Sequence, residues 1–112
     1  ILGRNSVDII KSGGYKISAL EIEEVLRTHT AIKECGVVGI PDDEWGEIIG
    51  ASLVLATAAI DFEKLKTWLK EQLPAYKIPK RFIIQEDLPR NVMGKVTKMD
   101  LKKIFLTQKN NL

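Results

Sequence analysis

Apolar residues along this chain switch between the two-residue period of strands and the 3.6-residue period of helices, and each switch marks an element. Val7-Asp8-Ile9-Ile10-Lys11 reads as a short strand, Ser12-Gly13-Gly14 as its turn and Tyr15-Lys16-Ile17-Ser18 as the returning strand. Ser18 and Glu21 stand at capping-box spacing, so a helix is predicted from Ala19, with Ile22, Val25, Leu26 and His29 on one face. Ile32 to Ile40 holds the β-favouring pair Val37-Val38, Pro41-Asp42-Asp43-Glu44 is a turn, and Ile48 to Ala56 is a second, more apolar strand. The two form a longer antiparallel hairpin whose loop carries Trp45-Gly46-Glu47, where the indole suits either a stacking surface or a lid folded back on the core.

Asp61 is placed to cap a helix in which Phe62, Leu65, Trp68, Leu69 and Leu73 recur at helical spacing until Pro74 stops it. With two prolines, Pro74 to Lys80 is an extended connector bearing Tyr76, Lys77 and Lys80. Arg81 to Gln85 is a strand, and Thr97 with Asp100 opens a last helix with Leu101, Ile104 and Phe105 on its apolar face. Residues 108–112 are expected to fray. The order of hairpin, helix, hairpin, helix, strand and helix predicts an α+β fold, a small antiparallel sheet and β-hairpin with about three helices packed on it.

Composition narrows the function more than the fold. At 112 residues, 45% hydrophobic and 29% charged, residues 1–112 fit a single domain with a modest core. One cysteine, Cys35, and one histidine, His29, argue against a disulfide framework, a zinc site and a Ser-His-Asp triad, and no metal site is expected. His29 is expected to cap or half-bury at a helix end rather than to act as a base. The net charge of +2 is uneven, with 5 basic and 9 acidic residues in positions 1–60 against 12 and 6 in positions 61–112. A basic second half suits either an anionic partner or a plain solvated face. The longest mostly apolar stretch, Ile48 to Ile60, is 13 residues, too short to span a bilayer, so no membrane partner is expected. The chain opens on Ile-Leu-Gly-Arg rather than methionine, and a piece of a larger protein is the expectation.

The stretch Leu88-Pro89-Arg90-Asn91-Val92-Met93-Gly94-Lys95 concentrates the candidate chemistry. Pro89 fixes its own φ and Gly94 permits a left-handed turn just before Lys95, which shapes a loop that presents one ammonium group. On its own this stretch reads first as an ordinary connection with a solvated lysine.

Four blocks in order change that reading: Gly3-Arg4 with Asp8-Ile9-Ile10-Lys11-Ser12-Gly13-Gly14-Tyr15-Lys16-Ile17 and Glu21-Ile22-Glu23; Val37-Val38-Gly39-Ile40-Pro41-Asp42 with Trp45-Gly46-Glu47; Leu73-Pro74-Ala75-Tyr76-Lys77-Ile78-Pro79; and Leu88 to Val96. Together they resemble the C-terminal domain of an AMP-forming acyl-CoA synthetase of the adenylate-forming superfamily, most similar to its malonyl-CoA synthetase branch. The resemblance implies that the full-length enzyme converts a carboxylate, malonate or methylmalonate, and ATP into acyl-AMP, then transfers the acyl group to CoA. A mobile domain turns about a hinge between the steps. Its partners are the small carboxylic acid, ATP, CoA and its own N-terminal domain, through which Mg2+ is held. The isolated chain is expected to be inactive.

By the same resemblance Lys95 is the adenylation lysine, an electrostatic clamp for two anions brought together. Gly14 lines the pantetheine tunnel, where a missing Cβ lets the backbone pass close to the thiol arm. Trp45 packs on the CoA adenine, and Tyr76 holds a neighbouring aromatic position. Where a relative has a phosphate-binding basic residue two positions after that aromatic, this chain has Ile78, so the role passes to Lys77 or Lys80. Arg4 falls at the domain junction, where it steadies the nucleotide ribose or the linker, and Asp8, within residues 1–11, is the candidate hinge. The branch implies a mitochondrial location, with the cytoplasm as alternative. Two rivals stand beside this reading. One is the same fold serving a carrier-protein thiol or another acceptor. The other is a non-enzymatic anion- or nucleic-acid-binding module, which the lack of an arginine-rich run disfavours, so no nucleic-acid partner is expected.

Overall fold

The computed structural model describes residues 9–107. Arg4 and Asp8 lie outside the described residues. The elements are β1 (Ile9–Ser12), β2 (Tyr15–Ser18), α1 (Ala19–Arg27), β3 (Ile32–Asp42), β4 (Gly46–Leu55), α2 (Phe62–Gln72), a 3-10 turn (Ala75–Lys77), β5 (Arg81–Ile84) and α3 (Lys98–Thr107). The predicted α+β order holds, with local chemistry setting the boundaries. Gly13 and Gly14 both take positive φ, +59° and +89°, as the mirror-image two-residue hairpin turn requires. Ser18 Oγ accepts from the Glu21 amide at 3.3 Å and starts α1, and Asp61 Oδ1 accepts from the Glu63 and Lys64 amides to start α2. At α3 the expected cap forms differently, since the Thr97 hydroxyl meets the Asp100 carboxylate at 3.0 Å, side chain to side chain.

β3 and β4 pair antiparallel from Ile32↔Leu55 to Asp42↔Gly46 and form the spine of the sheet. β4 begins at Gly46, earlier than the sequence suggests, because Asp42 Oδ2 accepts from the Glu44 and Trp45 amides and closes the loop tightly. Gly46 then takes φ +84°, and Glu47 belongs to the strand. The other side of β4 is shared by the small hairpin, through Ser12↔Gly46, and by β5. β5 runs parallel to β4, from Gly50↔Arg81 to Leu53↔Ile84, an exception in an otherwise antiparallel sheet. The parallel direction follows from the long α2 crossover between the two strands.

The sheet is covered on both faces. On one, α1 and α2 bury Ile22, Leu26, Leu65 and Leu69 against Val37, Ala51 and Leu53. On the other, α3 buries Leu101 and Phe105 against Val38, Ile40 and Val54, with Leu88 beside them. Coverage on both faces makes the middle of β3 and β4 continuously buried rather than alternating. α3 comes so close because Gly36 and Gly50 lie under it. A Cβ on Gly36 would sit 2.5 Å from Leu101 Cδ2, and one on Gly50 would overlap Ile40 Cδ1 and reach 3.1 Å from the Phe105 ring.

Candidate functional site

The candidate residues gather at two places. At the tip of the β3–β4 hairpin, Gly13 N–H donates to the Trp45 carbonyl at 2.9 Å. The indole lies so close that a Cβ on Gly13 would be 2.7 Å from Trp45 Cε3. Trp45 is nevertheless 42% exposed, so its loop position forms a surface and not a lid. Lys80 Nζ sits 4.4 Å from the centroid of the Trp45 ring, held there because its own amide donates to Ile49 C=O. Above Gly14 a Cβ would find nothing within 4 Å, which leaves the backbone open to a ligand.

Tyr76 continues this surface. Its ring stacks on Tyr15 with centroids 4.2 Å apart and planes 22° from parallel. Tyr15 is a site residue that the sequence pattern does not single out: two-residue alternation puts it on the same face of β2 as the buried Ile17, yet at the end of the strand it is 53% exposed. Lys77 takes a different course from Lys80, because its Nζ contacts both Glu21 oxygens at 2.9 and 3.1 Å. That hydrogen bond holds the Lys77 ammonium above the ordinary lysine pKa. Ile78 packs against the core, where it cannot stand in for a cation. The structure therefore brings Gly14, Trp45, Tyr76, Lys77 and Lys80 onto one face, with Lys77 already neutralised and Lys80 resting on a ring.

The second place is the loop before α3. Arg90 and Val96 form an isolated antiparallel bridge, and within it Asn91 N–H donates to Lys95 C=O at 2.9 Å. Asn91 Oδ1 accepts from the Met93 and Lys95 amides at 2.8 and 3.1 Å, and Gly94 takes φ +83°. Arg90 braces the outside of this turn by donating to Gly94 C=O and pairing with Glu34 of β3. Lys95 is exposed and among the described residues makes no ion pair, while Val92 and Met93 at the tip are also exposed. Glu34 and Asp42 lie eight residues apart on β3. At about 3.3 Å per residue the Lys95 loop and the Trp45 tip are anchored about 26 Å apart along one strand.

Residues 21–95 match the AMP-binding enzyme C-terminal domain family. The chain belongs to that family. It is 47% identical to the malonate–CoA ligase of Arabidopsis thaliana over 96% of its length, which is 20% of the plant protein. It is 46% identical to a mitochondrial malonate–CoA ligase of Bos taurus, covering 90% of this chain and 17% of that one. Among solved structures, the o-succinylbenzoate CoA synthetase of Bacillus subtilis in complex with its acyl-adenylate intermediate superposes with a TM-score of 0.80 at 41% identity, over 85% of this chain and 19% of that chain. ATP-bound MatB from Rhodopseudomonas palustris gives 0.85 at 33%, over 90% and 20%. The chain thus spans about a fifth of the length of the relatives it matches.

Proposed function

We propose that this chain is the mobile C-terminal domain of an ATP-dependent, AMP-forming acid–CoA ligase that activates malonate or methylmalonate as acyl-AMP and hands the acyl group to CoA. The observation that carries the reading is the separation of the two candidate sites: a single projecting lysine at one end of β3 and an aromatic and cationic face at the other. One domain can then offer either end to a common reaction centre by rotating. Asp8 as the hinge and Arg4 at the junction belong to this reading on resemblance alone.

In the adenylation orientation the Lys95 ammonium stands between the substrate carboxylate and the α-phosphate of ATP. Attack joins two anions, and a preformed cation offsets the charge that develops in the transition state. Asn91 and Gly94 fix the backbone from which it projects. In the second orientation Gly14 lines the path of the pantetheine arm, Trp45 and Tyr76 take the adenine, and Lys80 meets a phosphate. A cation on an exposed ring is worth about 0.5–1 kcal/mol, whereas hydrogen bonds to charged groups contribute about 1.5–3 kcal/mol, so Lys80 exchanges the indole for the phosphate. Lys77 is the second choice because it would first have to leave Glu21. Mg2+ belongs to this reading on resemblance alone, held by the N-terminal domain.

Malonyl-CoA as product would place the reaction in fatty-acid and lipid metabolism. A mitochondrial location is the reading favoured by relatives named as mitochondrial, and the cytoplasm is the alternative. The test is a substrate screen of the full-length ligase with malonate, methylmalonate, acetate and longer acids, following AMP and thioester. Malonate or methylmalonate with free CoA is the expected pair. Thioester formed only on a carrier protein, or none with any dicarboxylate, would reject the assignment.

A further inference from the structure

Among the described residues β3 pairs with no strand but β4, which makes its other side an edge of the sheet. At Val37 that edge is closed by charge. Val37 N–H donates to Glu23 Oε2 at 2.8 Å, Val37 C=O accepts from Lys98 Nζ at 3.0 Å, and the two side chains pair at 2.6 Å. Their side chains are only 6% and 13% exposed. Glu23 comes from α1 on one face of the sheet and Lys98 is the first residue of α3 on the other, so the pair wraps the edge and ties the two helical layers.

A buried ion pair is by itself weak evidence for stability, because desolvation offsets the attraction. What this one fixes is a place. Lys98 lies three residues beyond Lys95, and the loop between Arg90 and Val96 is already a closed turn. One end of that turn is pinned to β3 through Arg90 and Glu34, and the other through Lys98, Val37 and Glu23. We propose that Glu23 is a positioning residue for adenylation, acting through Lys98 to hold the start of α3 and with it the base of Lys95. This rests on the role given to Lys95 above.

The test uses the full-length ligase with Glu23→Gln, Lys98→Met, the double variant and Lys98→Arg, each assayed separately for acyl-adenylate formation and for thioester formation from supplied acyl-AMP. Glutamine keeps an acceptor for the Val37 amide and loses only the charge. A misplacement near 1 Å costs on the order of a hundredfold in rate, so adenylation should fall by about that factor while the thioester step changes by no more than about twofold. The double variant should match Lys98→Met, because Glu23 acts only through that lysine, and Lys98→Arg should retain adenylation. Undiminished adenylation in Glu23→Gln, or equal loss of both half-reactions in folded protein, overturns the proposal. If Glu23→Gln does not fold, Lys98→Met carries the same expectation and the same refutation. Lys95→Ala run in parallel separates the failures. If it abolishes adenylation while Glu23→Gln and Lys98→Met spare it, the link alone falls; if it spares adenylation, the reading of Lys95 falls and the link with it.

Discussion

Replacing Gly36 by alanine should loosen α3 from the sheet, and the structure sets the size of the effect. The new Cβ would lie 2.5 Å from Leu101 Cδ2, against an ordinary carbon contact of about 3.5–4.0 Å, so one side must give by about 1 Å. Leu101 is fully buried and Leu88 Cδ1 is already 3.8 Å from the same point, which leaves the leucine little room to turn away. Overpacking of this kind costs about 1–3 kcal/mol. With a urea dependence of about 1–3 kcal/mol per molar, the unfolding midpoint of the 112-residue chain should fall by roughly 0.3–3 M, followed by circular dichroism. Shortening the obstructing side chain gives the internal check. Leu101→Val alone should destabilise, but combined with Gly36→Ala the loss should be smaller than the two single losses together by at least about 0.5 kcal/mol. An unchanged midpoint for Gly36→Ala, or strictly additive losses, would refute the idea that glycine is there to admit Leu101.

Three further outcomes follow from the same geometry. In the full-length ligase, Trp45→Ala should raise the CoA KM while leaving the KM for ATP unchanged, and an unaltered CoA dependence would count against a stacking role. Lys80→Met should weaken CoA more than Lys77→Met, because Lys77 is committed to Glu21, and the reverse order would reassign the phosphate contact. Burial, reinforced by the Glu23 charge, pushes the Cys35 thiol up from 9.0 to about 12. Below pH 9.0 the thiol is neutral in both folded and unfolded chains and its contribution to stability is intact; that contribution is lost as the pH rises from 9.0 toward 12. Alkylation of Cys35 in native protein at neutral pH should therefore proceed only as fast as the fold opens, and rapid labelling would contradict its burial.

What the sequence made legible was mostly local. The Ser18–Glu21 and Asp61 caps, the Gly13-Gly14 turn and the Asn91–Gly94 loop each depend on residues within four positions of one another, where residue type and spacing determine the hydrogen bonds. The grouping of Tyr76, Lys77 and Lys80 with Trp45 comes from resemblance alone, since nothing in a run of residues says which lysine will find a carboxylate. Glu21 and Lys77 are 56 positions apart, and so are Glu34 and Arg90. The parallel direction of β5 and the Glu23–Lys98 clasp were equally out of reach, because both are set by how the layers close over the sheet. Glu23 lies outside the apolar face formed by Ile22, Val25, Leu26 and His29, and it is buried where α3 brings Lys98 to meet it.

The central claim is that the two ends of β3 serve different half-reactions, and Lys95→Ala in the full-length ligase tests it most directly. Losing an electrostatic group aimed at the transition state costs about 10²–10³ in rate, so acyl-adenylate formation should fall at least that far. Thioester formation from supplied acyl-AMP and CoA should proceed at the unaltered rate. A matching loss in both half-reactions, or adenylation that survives the substitution, would contradict the account.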